Sequence, residues 1–127
     1  MRSEETQGEG RALLRRLSAG NPDISAVLVV DGDGRVHASH SADPRLVQVA
    51  TALIVPLREI LDRAAAELGC GAIVDSFITG EHASFALADV DGNRTVIVVG
   101  ASTSAPGALR ADARFVAESV RAGEALS

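Results

Sequence analysis

The architecture hinges on DPRLVQVATALIVPLREILDRAAAELG, residues 43–69. Asp43 is a strong N-cap, because a carboxylate accepts from the free N–H groups of a first helical turn. Pro44 suits the first helical position, where no N–H is needed. Gly69 is an equally good stop, since glycine tolerates the left-handed conformation past a helix end. Between them Leu46, Val49, Ala50, Leu53, Leu57, Ile60, Leu61, Ala64 and Leu68 recur at helical spacing, which predicts one long helix over 44–68. At about 100° per residue these positions fall within roughly 120° of arc, a core-facing stripe. Val47, Ile54 and Ala65 form a shoulder that widens the stripe to roughly 160°. One sheet face rarely needs so wide an apolar surface. The helix is therefore either generously buried or has its shoulder in a subunit seam. Pro56 removes one helical hydrogen bond at a cost of about 3 kcal/mol. The periodicity passes through it unchanged, which predicts a single kinked helix.

Working outward, residues 1–9 read as a flexible leader, and 10–19 as a short helix with Ala12, Leu13 and Leu17 on its apolar edge. Ser25–Val30 is a continuous apolar run, the pattern of a strand buried on both faces. Asp31-Gly-Asp-Gly is hairpin-turn chemistry, and Arg35–His40 follows as a more polar strand suited to a sheet edge. After the long helix come three further strands, Ala72–Thr79, Glu81–Val90 and Thr95–Ala101. Gly80 and Asp91-Gly92-Asn93 mark the turns between them. The loop 102–106 leads into a last helix whose stripe is Leu109, Ala113, Val116 and Val120, ended by Gly123. The order α-β-β-α-β-β-β-α with short hairpin turns predicts an α/β protein of the α+β type, an antiparallel five-stranded sheet with helices packed on its faces. A single domain spans 10–123, and 124–127 is a tail.

The 127 residues suffice for one domain with a real core, and 46 % hydrophobic content excludes a wholly disordered chain. A net charge of −5, and three Phe with no Tyr or Trp, argue against nucleic-acid binding. The polar, acidic N-terminus is no signal peptide, and no apolar run approaches the roughly 20 residues of a membrane span. A lone Cys70 sets up no disulfide framework, so a reducing cytoplasm is the expected setting. Between two glycines, Cys70 reads as a small buried filler.

Catalytic and metal motifs fail on spacing. Asp31-x-Asp33 and Asp89-x-Asp91-x-Asn93 resemble the start of a calcium loop. The glycine and glutamate such a loop requires are replaced by Val36 and Ala42 in one, and by Arg94 and Gly100 in the other. His37 and His40 point to opposite faces of a strand, and nothing completes a metal site with His82. No phosphate-cradling glycine loop is present. The sequence thus offers no catalytic residues, no metal site and no cofactor.

Four features together resemble the roadblock family of dynein-light-chain-like modules. They are the strand and turn Ile24-Ser-Ala-Val-Leu-Val-Val-Asp-Gly-Asp-Gly34, the long helix after it, the strand pair within Glu81–Ala101, and Pro106-Gly-Ala-Leu-Arg110 at the start of the last helix. The resemblance covers roughly residues 10–123. It implies that the long helix lies on one face of the sheet and the terminal helices on the other. It also implies a homodimer, or a heterodimer with a related roadblock protein, in which third strands pair and central helices lie side by side. Ala72, Val74, Ser76 and Ile78 would then join Val47, Ile54 and Ala65 at the seam. Family members commonly bind small Ras-like GTPases, and some bacterial ones are GTPase-activating partners. The corresponding partner surface here would be Gln48, Val55, Arg58, Glu59 and Asp62. Arg58 and Arg63 have the reach of arginine fingers, although solvated helix charges explain both. The resulting expectation is a non-enzymatic dimeric regulator of a small GTPase in a signalling or polarity system. The alternatives are a structural dimerisation scaffold and a small-molecule sensor.

Overall fold

The computed structural model describes residues 12–101 and 106–123. The leader 1–9, the tail 124–127 and residues 102–105 lie outside the described residues. Helix α1 covers residues 12–20. It is followed by β1 (Ile24–Val30), β2 (Val36–Ser41), α2 (Pro44–Glu67), β3 (Asp75–Thr79), β4 (Ala83–Asp89), β5 (Thr95–Ala101) and α3 (Pro106–Arg121). The sheet is antiparallel throughout, in the order β2-β1-β5-β4-β3, so β2 and β3 are its edges.

Period-two alternation sorts the strand residues between two cores. Val27, Val29, Ala86, Ala88, Val96 and Val98 face α1 and α3, where Leu14, Leu109, Ala113, Val116 and Val120 meet them. Ala26, Leu28, Val30, Leu87 and Ile97 face the other way, towards α2. β1 therefore contributes to both cores, as its unbroken apolar run predicts. The alanines of β4 and Gly100 of β5 let α3 lie close. A Cβ at Gly100 would stand 2.7 Å from the Leu109 side chain. Each large aliphatic side chain closed off under α3 contributes about 1.5–3 kcal/mol. In α1 it is Leu14, with Leu13, that is buried, whereas Ala12 is exposed.

Helix α2 begins and ends on the signals in its sequence. The Asp43 carboxylate accepts from the Arg45 N–H at 3.0 Å, with Pro44 opening the helix. At the other end Cys70 N–H donates to the Ala65 carbonyl at 2.8 Å and Gly69 N–H to that of Ala66 at 3.2 Å, while Gly69 takes φ 75°. This is a Schellman cap, and it requires the left-handed residue that glycine supplies. The helix runs unbroken through Pro56, which lies on the exposed side together with Ala52, whose carbonyl the proline leaves without a partner N–H.

Three expectations change at this end of the molecule. The third strand starts at Asp75, so Ala72 and Val74 precede it rather than belonging to it. Cys70 is exposed rather than buried, in the turn that caps the end of α2. The helix is also turned about its axis relative to its own apolar stripe. Its buried residues are Ile54 and Ala65, both from the shoulder, about 90° from the centre of the stripe. Val49, Leu53 and Ile60, on the far flank of the stripe, are 55 %, 59 % and 66 % exposed.

Candidate partner interface

The rotation of α2 leaves one face of the sheet half covered. α2 packs chiefly over β1 and β2, whereas α3 packs over β3, β4 and β5 on the opposite side. On the α2 side an open apolar groove of about 210 Å³ remains, walled by Leu46, Val49, Leu53 and Leu57 of the helix and floored by Phe85 and Val99 among others. Beyond it, edge strand β3 offers Ser76 and Ile78, opposite Leu87 and Phe85 in the register and therefore on the same face. A helix flank, a groove and a free strand edge thus form one continuous surface.

A polar cluster lies beside the C-terminal half of α2. The Arg58 guanidinium donates to Thr95 Oγ1 at 2.7 Å through Nη1, and to Asp89 Oδ1 at 3.1 Å through Nη2. Asp62, one turn along the helix, is 3.4 Å away. The Arg58 side chain is only 15 % exposed. Asp89 also accepts from the Gly92 N–H through both oxygens, so Arg58 ties the helix to the β4–β5 turn. This turn touches the β1–β2 turn, since a Cβ at Gly32 would lie 2.6 Å from Asn93 Oδ1. Each turn is organised by a carboxylate. Asp31 accepts from the backbone of Asp33 and Arg35 and pairs with the His37 ring at 3.0 Å. Asp91 accepts from the backbone of Asn93 and Arg94 and pairs with the Arg94 side chain. Burial pushes both carboxyls up, but these hydrogen bonds together outweigh it and hold them below the ordinary aspartate value.

The sequence-predicted residues divide between these features. Ile54 and Ala65 are core within the chain, and Val47 is half-buried beside them. Ile78 lies exposed on the open face and Ser76, on the same face, is half-buried with its hydroxyl enclosed, while Ala72 and Val74 are exposed in the connection ahead of β3. Of the expected partner residues, Gln48 and Glu59 are exposed and Asp62 is half-exposed. Val55 is half-buried against the α2-side core. Arg58 does not project outward; it is the clamp. Arg63 does project, at 82 % exposure, beside Glu67. The exposed apolar flank of Val49, Leu53 and Ile60 escapes the sequence reading, because a wide apolar arc does not reveal which part of it meets the sheet.

Among the described residues no three His, Cys, Asp or Glu side chains are grouped to hold a metal, and no helix is long and apolar enough to cross a membrane. No protein-family model and no curated protein matches the chain in sequence. Its fold is that of roadblock domains. It superposes on MglB of Myxococcus xanthus with a TM-score of 0.81 at 16 % identity, over 94 % of this chain and 91 % of that one. A Roadblock/LC7 domain from Streptomyces avermitilis matches with a TM-score of 0.79 at 18 % identity, over 89 % and 95 % of the two chains. An MglB in a tetrameric arrangement matches with a TM-score of 0.80 at 19 % identity, over 94 % and 90 %.

Proposed function

We propose that this roadblock-fold chain is a dimeric regulatory module, cytoplasmic and without chemistry of its own, that binds and regulates a small Ras-like GTPase. The observation that carries the reading is the uncovered apolar surface formed by Val49, Leu53, Ile60, the groove and the β3 edge. A second copy fits it best, because isologous packing would bury the α2 flank of each protomer and pair the two β3 strands. The tetrameric arrangement of one MglB with this fold supports self-association. The seam so proposed uses Ser76 and Ile78 as expected, but Val49, Leu53 and Ile60 in place of Ile54 and Ala65.

The GTPase surface in this reading is the outer side of the paired α2 helices, with Gln48, Glu59 and Asp62 as contacts and Val55 at the rim. Arg58 is already bound to Thr95 and Asp89 and is not free to reach a nucleotide, which favours regulation by ordering the GTPase's own residues over lending Arg58. The test is co-purification from native lysate over the immobilised protein, with GDP or a non-hydrolysable GTP analogue present. Retention of a Ras-sized GTPase in one nucleotide state supports the regulator. Retention in neither state removes that reading in favour of a dimerisation scaffold or a small-molecule sensor.

A further inference from the structure

The two edges of the sheet are built differently. β3 pairs with β4 in unbroken register from Asp75↔Ala88 to Thr79↔Ser84. β2 does not pair so evenly with β1. Val29 pairs with Ala38 and Val30 with Val36, which leaves His37 as an extra residue in β2. Two residues against one step of the neighbour is the count of a β-bulge. The extra residue reverses the alternation of faces. Ala38 enters the α3-side core and Val36 packs against the α2-side core, although they are two apart. The bulge is also pinned from outside, since the His37 ring sits 3.0 Å from the Asp31 carboxylate and Asp31 is itself fastened by the turn's N–H groups. Such a bulge increases local twist and puts the outward N–H and C=O groups out of step with an incoming straight strand.

We propose that the His37 bulge closes the β2 edge to strand addition, so that strand-paired assembly of this chain is confined to β3 and stops at a dimer. The part about β3 rests on the dimer reading above; the closure of β2 rests on its own register. The device is needed because a dimer paired through β3 turns both β2 edges outward. If those edges accepted strands, dimers would join end to end without limit.

Deletion of His37 tests this directly. It restores one-to-one pairing and keeps Val36 and Ala38 on their present faces, since adjacent strand residues alternate. Analytical ultracentrifugation over a concentration series gives the readout, with circular dichroism confirming the fold. The deletion variant is expected to reach at least twice the weight-average mass of the native protein and to keep growing with concentration. A folded variant with native mass at every concentration overturns the proposal. The mass of the native protein reports separately on the dimer. A monomeric native protein would remove the dimer reading, yet association gained on deletion would still support closure of β2. Should the variant not fold, hydrogen exchange on the native protein at two widely separated concentrations decides. Unchanged protection of the outward β2 amides supports closure, and protection that rises with concentration overturns it.

Discussion

Replacing Arg58 by methionine removes the guanidinium while leaving an apolar stem of similar length. Lost with it are the 2.7 Å bond to Thr95 and the 3.1 Å bond to Asp89, at a site where the two charged side chains are 15 % and 20 % exposed. A hydrogen bond to a charged group contributes about 1.5–3 kcal/mol, which sets the gross loss at about 3–6 kcal/mol. Two features reduce it. Asp89 keeps its contacts to the Gly92 N–H, and its partial exposure lets water replace the guanidinium. The half-exposed Asp62 pair adds at most about 0.5 kcal/mol. The expected net loss is about 2–3 kcal/mol, or a melting temperature lower by roughly 10 °C for a chain of this size. Urea unfolding followed by circular dichroism measures it. A double-mutant cycle with Asp89→Asn should return a coupling of at least about 1 kcal/mol. Arg63→Met, at a solvated pair, should stay within about 0.5 kcal/mol of native. If Arg58→Met is as stable as Arg63→Met, Arg58 is not a clamp, and its assignment as a free partner-facing charge returns.

Other perturbations probe the remaining elements. Leu53→Asp with Ile60→Asp places charges on the exposed flank of α2 without touching Ile54 or Ala65. The variant should keep the native circular dichroism spectrum but sediment as a monomer, and a retained dimer would exclude this flank from the seam. Acid should destabilise the chain through Asp31 and Asp91. Their folded-state values are depressed, so the stability they contribute is present above the unfolded aspartate value near 4 and is lost as pH falls through the lower folded values. Urea midpoints between pH 6 and about pH 3 should fall, and by less in Asp91→Asn. Gly100→Ala sets a Cβ 2.7 Å from Leu109 and 3.2 Å from the Asp23 carbonyl oxygen, the latter in backbone that yields little. An overpacking loss of about 1–3 kcal/mol is expected in the same unfolding assay.

Local chemistry determined the order and type of the elements. Asp43-Pro44 and Gly69 bound α2 because caps satisfy orphan backbone groups without help from elsewhere. The short apolar runs of β1 and β5 and the Asp/Gly turns set the strands for the same reason, since run length, turn residues and positive φ are properties of a few adjacent residues. What the sequence left open was how far each element turns towards its neighbours. The apolar arc of α2 is wider than the strip of sheet beneath it, so several rotations would bury a similar area. The tertiary contacts chose the one that seats Ile54 and Ala65. That choice draws Arg58 into the hydrogen bonds of Thr95 and Asp89, residues more than thirty positions away along the chain. It also leaves Val49, Leu53 and Ile60 bare. The bulge at His37 belongs to the same class, because register is a relation between two strands and is not contained in either one. Which segments become helix and strand was thus written into the chain. Only the packed structure decided which face of the longest helix is core and which is available to a partner, because burial depends on what lies opposite.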